Sequence, residues 1–555
     1  MNLIFSRLRQ VKLIMLLLLA SLAAQAQAPA WQSALALGGT TSRVNATAAD
    51  AAGNVYLTGV FSGTLTLAGT SLTSQGGTDG FVARYNTRTA TFAWALPFGG
   101  TGADQGNALA VAGTSVYVTG TFENTASFGS LSLNSAGSGD VAVFKLTDQG
   151  TSATVVWAQR AGSSLQDEGW ALALSGTSIY LGGDISGTAS FGTITLSTTG
   201  NANGFVAKLT DAGTTATFGW AQLMGGSYFD AVYALAASGT SVYAGGFFSR
   251  TASFGNITLT SAGLNDGIVV KLTDNGPSAS VNWAAPLGGT ASDQVNALAL
   301  SGTNVYVTGQ FQGTASFGST ALTSAGGTDC YVAKLTDAGS SAAYVWAQAA
   351  GGTGNDLGGG LAVSSGSVYM TGGIIGTATF GPGTVVSAGG LDVFVTRLAD
   401  AGPSARFVWV QAGGGSQSDF GIAIALSSQG LYVGGLVGAP ASFAPLALPA
   451  GGGTSAGLLA SLGAVALATA PAALLAGLSL WPNPAHNRAT VQLPAVPGST
   501  TATLTLLNVL GRAIRTQTAT TNSKAELDLS GLAPGLYAVR MQAGGSNVTR
   551  RLVVE

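Results

Sequence analysis

Of the 555 residues only 8% are charged and 83 are glycine, and 21 basic against 23 acidic side chains leave a net charge of −2. That charge share is about a third of the globular average and has no basic excess, so nothing here suits nucleic acid or an anionic membrane, while the 15 prolines are too few for a collagen-like or proline-rich chain. One cysteine (Cys330) and one histidine (His486) exclude a disulfide framework, Cys/His zinc sites, His-ligated haem and His-dependent nucleophiles, so no metal and no cofactor is expected.

At the start of the chain Arg7, Arg9 and Lys12 precede an uncharged apolar stretch over residues 13–24, and Ala24 and Ala26 satisfy the A-x-A cleavage pattern. This reads as a secretory signal peptide over residues 1–26. Its core falls short of the ~20 residues a transmembrane helix needs, which predicts an exported protein without a transmembrane anchor.

Seven tryptophans then recur at a step of 63: Trp31, Trp94, Trp157, Trp220, Trp283, Trp346 and Trp409. An internal repeat surrounds them. An aspartate follows ten residues later in six copies, then an apolar run, then segments such as Val116-Tyr117-Val118-Thr119-Gly120, a Thr-Ala-Ser-Phe-Gly stretch, and Asp-Gly-Phe-Val-Ala-Lys-Leu variants. Runs of four to seven residues rich in Val, Tyr, Phe and Thr, cut by Gly and Asp turns, predict four short strands per repeat and no helix. Four-stranded units repeated seven times predict an all-β fold, a seven-bladed β-propeller over residues 31–462. The array begins on the strand type that finishes a repeat and ends on the type that precedes it, so the first strand is expected to complete the last blade and close the ring. Each Trp is expected between blades, and Cys330, inside an apolar strand, is expected to be buried. Through its D-x-F-V-A-K-L, V-Y-V-T-G and W-A-x-x-x-G-G elements the array resembles the seven-bladed propeller repeats of bacterial secreted proteins, a resemblance that speaks to fold and not to activity.

Beyond residue 462 the register is lost. Residues 463–478 read as an Ala-rich linker, because Pro471 and weakly hydrophobic Ala and Gly argue against a membrane span. Short strands then follow Leu480-Trp481-Pro482-Asn483-Pro484. The W-P-N-P-A element, L-L-N-V-L-G-R at residues 506–512, L-S-G-L-A-P-G-L-Y at residues 529–537 and the terminal R-R-L-V-V-E resemble the type A C-terminal sorting domain of the type IX secretion system. That resemblance implies a small immunoglobulin-like β-sandwich over residues 479–555, the type IX machinery as partner, and release or attachment at the cell surface. Pro482, Asn483, Pro484, Gly511, Leu532, Gly535 and Tyr537 are its family positions, expected as turn formers and core residues.

Candidate chemistry lies in the loops of the array. Asp104, Asp167, Asp230, Asp293, Asp356 and Asp419 are expected to ring one mouth of the central channel, with Asp79, Asp140, Asp266, Asp329 and Asp392 on the same face. Near-perfect recurrence points to loop fixing through backbone N–H groups, since catalysis breaks symmetry. Departures from the repeat point to function: Arg160, Glu168 and Trp170, then Tyr228, Phe229 and Tyr233, with Asp184 where other copies carry no acidic residue. Aromatic faces beside carboxylates suit sugar stacking and hydroxyl recognition, with interblade packing as the alternative for Trp170 and Tyr233. The leading expectation is a secreted or surface binding protein whose ligand is a glycan or a protein, with no catalytic residues assigned. The alternatives are a carbohydrate-active enzyme using acidic residues at the channel mouth, and a spacer in a surface layer.

Overall fold

The computed structural model describes residues 28–449, 455–463, 478–495, 500–508, 513–543 and 546–555. The expected signal peptide, nearly all of the Ala-rich linker and Gly511 lie outside them. The described elements are all β-strands, and the chain divides into two compact units, Met1–Val465 and Ala466–Glu555.

The first unit is built from one antiparallel motif. In the third repeat Glu168–Ser175 pairs with Ser178–Phe191, that strand with Ile194–Asp211, and that with Ala216–Gly226. Side chains of the middle strands are buried almost without break over Ile179, Tyr180 and Leu181 and over Phe205, Val206 and Ala207, as expected of strands covered on both faces. In each of six repeats the outer strand carries an irregularity beside its Trp, as between Lys208 and Leu209 opposite Trp220. Each of the seven repeat tryptophans is 2–7% exposed.

The repeat holds more than the four expected strands. The Thr-Ala-Ser-Phe-Gly stretch forms a hairpin, Thr125–Phe128 against Leu131–Asn134 in the second repeat, and Phe128 is fully buried. The hairpin reaches back to the preceding repeat, where Ala126 pairs with Gly100. The same backbone stitch joins Ala161 to Phe191, Met224 to Phe254, Gly288 to Ser316, Gly351 to Thr379 and Gly414 to Ser442.

Side chains add a second tie. The aspartate of each Thr-Asp-x-Gly-type turn gathers three donors from the repeat before it: Asp274 accepts from Trp220 Nε1 (3.0 Å) and Tyr180 OH (2.8 Å) and pairs with Lys208 Nζ at 2.6 Å. Asp148, Asp211, Asp337 and Asp400 make the same latch, with Arg84 in the place of lysine at the first. Thr87 and Gly463 stand at the corresponding positions of the first and last repeats, so the seventh repeat meets both its neighbours without a latch.

The seventh sheet is completed from the other end of the array. Trp31–Leu37 pairs with Ala456–Leu462, Trp31 opposite Leu462 and Leu37 opposite Gly457, giving a sheet of which Phe420–Ser427 is the far edge. The innermost strands touch in chain order, from Thr41–Ala49 through Gln105–Ala112, Glu168–Ser175, Ala231–Ser238, Gln294–Ser301 and Leu357–Ser364 to Phe420–Ser427, and the last of these touches the first.

The second unit contains a three-stranded sheet (Ser479–Trp481, Arg488–Gln492, Lys524–Asp528) and a four-stranded one (Ala513–Thr520, Thr501–Leu507, Gly535–Ala543, Ser546–Val554). Val491 and Leu527 of one and Leu504, Leu506, Val539 and Leu552 of the other share one apolar core.

Candidate functional site

The six recurring aspartates sit buried beneath the loops. Asp104, Asp167, Asp230, Asp293, Asp356 and Asp419 are 0–1% exposed, and none of them lines the central cavity. Asp356, for example, accepts the backbone N–H groups of Gly352 (2.7 Å) and Ile375 (3.0 Å), tying the loop to the end of the repeat's second strand. The other five repeat this bridge. Buried N–H groups need an acceptor, and folding the loop over the carboxylate supplies one. Burial lifts Asp104, Asp167, Asp230, Asp293 and Asp419 to about 6.

The second set, Asp79, Asp140, Asp266, Asp329 and Asp392, is also buried, each accepting the N–H four residues before it. The two sets meet at a glycine: a Cβ on Gly99, at φ +137°, would lie 2.8 Å from Asp104 Oδ2 and 3.0 Å from Asp79 Cγ. Only a residue without a side chain fits there. Arg160 belongs to this scaffold, not to the aromatic patch, because its guanidinium pairs with Asp140 at 3.0 Å.

The remaining symmetry-breaking residues do come together. Glu168 and Asp184 lie directly opposite on paired strands, and Gly183 beside Asp184 lets the strands close, since a Cβ there would fall 1.9 Å from the Glu168 carbonyl oxygen. A register shift between Gly169 and Ala171 re-aims Trp170, whose Nε1 donates to Asp184 Oδ1 at 2.8 Å. Asp184 is 4% exposed; burial, with the charges of Glu168 and Asp167 added, lifts it to about 7 against the pull of the Trp170 bond. Burial also raises Glu168.

From Trp170 an aromatic run leads outward. Tyr233 stands edge-on to Trp170 with centroids 5.9 Å apart, Phe247 lies 5.6 Å from Tyr233, and Phe229 lies 5.4 Å from Phe247. Phe229 is 42% and Tyr228 40% exposed, and the Arg250 guanidinium sits 4.2 Å over the Tyr228 ring. Trp170 and Tyr233 are half-buried and line a central cavity of about 680 Å³ to which all seven innermost strands contribute.

The repeat shows what these two aromatics replace. Asn45, Asn107 and Asn296 occupy the equivalent position in the first, second and fifth repeats, each donating Nδ2 to the next strand's carbonyl at Gly106, Gly169 or Gly358 (2.7–3.0 Å). In the third and fourth repeats that polar link gives way to Trp170 and Tyr233. The sequence reading passed over Arg43, Asn45, Asn107, Gln294 and Asn296 on this wall and Phe247 behind it; aligning the repeats at the innermost strand singles out Arg43 and Glu168 as the charged residues at one position.

In the second unit Asn483, between Pro482 and Pro484, grips the final strand: its Nδ2 donates to the Arg551 carbonyl (3.0 Å) and its Oδ1 accepts the Val553 N–H (2.8 Å). Tyr537 donates its hydroxyl to the Ala533 carbonyl (2.8 Å) across the turn before Gly535, and Leu532 packs on the core. Residues 479–555 match the secretion system C-terminal sorting domain. The sorting domain directs export through type IX secretion to the cell surface or outside the cell, and its partner is that machinery. Among the described residues no helix is long and apolar enough to cross a membrane. No curated protein matches the chain. Among solved structures it is similar to a "putative 6-phosphogluconolactonase" from Bacteroides uniformis ATCC 8492, at 12% identity over 68% of this chain and 92% of that one, with a TM-score of 0.37.

Proposed function

We propose that residues 31–462 form a closed seven-bladed β-propeller and residues 479–555 an immunoglobulin-like sandwich, and that the exported propeller binds glycan at the channel mouth beside its third and fourth blades. Seven innermost strands touching in sequence, the last against the first, support the ring, and two sheets sharing one core support the sandwich.

The observation that carries the binding reading is the aromatic run Phe229, Phe247, Tyr233, Trp170. It leads from an exposed loop to the cavity wall and ends on a carboxylate, in an array whose first, second and fifth blades carry a polar link at that place. A sugar offers an apolar ring face and a rim of hydroxyls, which such a wall meets with rings and carboxylates. In a glycan-array and calorimetric screen of the mature protein, Trp170→Ala and Tyr228→Ala are expected to weaken binding by roughly 30-fold each, the typical cost of losing an aromatic anchor. Binding equal to the parent in both variants refutes the site.

One observation favours a second reading, a glycoside hydrolase. Asp184, lifted to about 7, lies opposite Glu168 on paired strands, and two facing carboxyl groups are the residue types an acid/base pair needs. Asp184 is held beneath Trp170 with one oxygen engaged, so binding is the leading reading; sugar release abolished by Asp184→Asn and Glu168→Gln reverses the order.

A further inference from the structure

Arg43 is the cationic residue among those lining the central cavity. Its side chain is half-buried on the innermost strand of the first repeat, and it is held by neutral groups: Nε donates to Asn45 Oδ1 at 2.6 Å and Nη2 to Gln105 Oε1 at 3.4 Å. Among the described residues no carboxylate lies within ion-pair distance of it, whereas Arg84, Lys145, Lys208, Lys271 and Lys334 each face the aspartate of a latch. Burial without a counter-charge lowers its pKa, a cost that an anion in the cavity would relieve.

We propose that Arg43 is an anion site of the channel and that the ligand is an acidic glycan, whose uronate carboxylate pairs with the guanidinium while a sugar ring lies against Trp170 and Tyr233. The inference rests on the glycan reading and names its ligand class. Two amide oxygens fix the guanidinium in one orientation and leave Nη1 for a carboxylate, the planar acceptor that arginine's fork matches. The same cavity wall carries Gln294 and Asn296 for hydroxyls, and about 680 Å³ is the volume of a small-ligand site. The field across the mouth sets direction. Glu168 and Asp184 lie on the third repeat, with the second repeat between them and Arg43, so an acidic sugar turns its carboxylate to Arg43 and its hydroxyls to the carboxyl groups.

The test is calorimetric titration of the full mature chain with a galacturonic acid trisaccharide and with its neutral galactose counterpart, at low and high salt. The acidic sugar is expected to bind roughly tenfold more tightly, as a charge-assisted pair supplies. The preference is expected to vanish in Arg43→Gln, to return in part in Arg43→Lys and to shrink with salt. Unchanged melting of Arg43→Gln certifies its fold. Equal binding of the two sugars by the parent, each lost in Trp170→Ala, overturns the anion site and leaves the glycan reading standing. Binding of neither sugar overturns both. Arg43-dependent binding of a glutamate tripeptide with no sugar binding replaces the acidic glycan with an acidic peptide.

Discussion

Asp274 shows how much one side chain can carry. It satisfies the indole of Trp220, the hydroxyl of Tyr180, the ammonium of Lys208 and the N–H of Gly276, and Lys208 is 8% exposed. Asp274→Ala strands a buried cation and two donors together, so it is expected to cost about 3–5 kcal/mol in denaturant unfolding, more than the ion pair's own worth. A loss under about 1 kcal/mol would mean that water reaches the node. The sequence displayed Trp220 and Tyr180 as recurring residues, yet Asp274 read only as a turn former. Its partners come from 54 and 94 positions away, and no local pattern encodes that convergence. The loop aspartates illustrate the converse. Asp356 bonds N–H groups only 4 and 19 residues distant, and so its loop-fixing role was readable. Around the candidate site, Trp170 and Tyr228 stood out as breaks in the repeat. Arg43 and Asn45 did not, because the first repeat carries an offset that hides their alignment with Gln105 and Asn107.

Between neighbouring repeats two devices act, a backbone stitch from the hairpin and the aspartate latch, and they are not distributed evenly. The stitch joins Gly414 to Ser442 at the sixth-to-seventh boundary, but the latch is missing there and again where the seventh repeat meets the first. At the sixth-to-seventh boundary Trp31 donates Nε1 to the Ala412 carbonyl (3.1 Å), and at the seventh-to-first Ser427 Oγ donates to the Gly53 carbonyl (2.7 Å) and Gly457 N–H to Ser42 Oγ (2.8 Å), with no ion pair at either among the described residues. Local opening follows the thinnest set of contacts. Native-state hydrogen exchange should therefore run fastest, among the central strands, over Gly430–Val437 and Ala456–Leu462, and slowest in the third to fifth repeats; uniform protection around the array would remove the seam. The pairing of the first strand with Ala456–Leu462 was legible because the array starts on the strand type that ends a repeat. The hairpin was not, since its partner is the backbone of glycines such as Gly100, which advertise no side chain to pair with.

Over the whole first unit the buried carboxylates form two populations with opposite pH responses. In the latches burial works against ionisation, but hydrogen bonds from lysine, tyrosine and tryptophan outweigh it: Asp337, bonded by Lys271, Tyr243 and Trp283, is held at about 2, and Asp148, Asp211, Asp274 and Asp400 are lowered as well. A folded pKa below the ordinary 3.8 contributes stability that is present above that value and is lost as pH falls toward 2. Under the loops burial dominates, and Asp104, Asp167, Asp230, Asp293, Asp329 and Asp419 rise to about 6. A raised folded pKa contributes stability that is present below 3.8 and is lost as pH climbs through 6. With a single histidine in the chain, and that one in the tail, no imidazole masks either limb. The melting temperature is thus expected to peak near pH 4, falling on the acid side as the latches protonate and declining from about pH 4 to 6 as the loop aspartates ionise against their burial. Calorimetric scans at fixed ionic strength across that range check it, and Asp337→Asn should flatten the acid limb alone. A melting temperature that climbs steadily from pH 4 to 8 would mean that water or a cation reaches the loop carboxylates and keeps them charged.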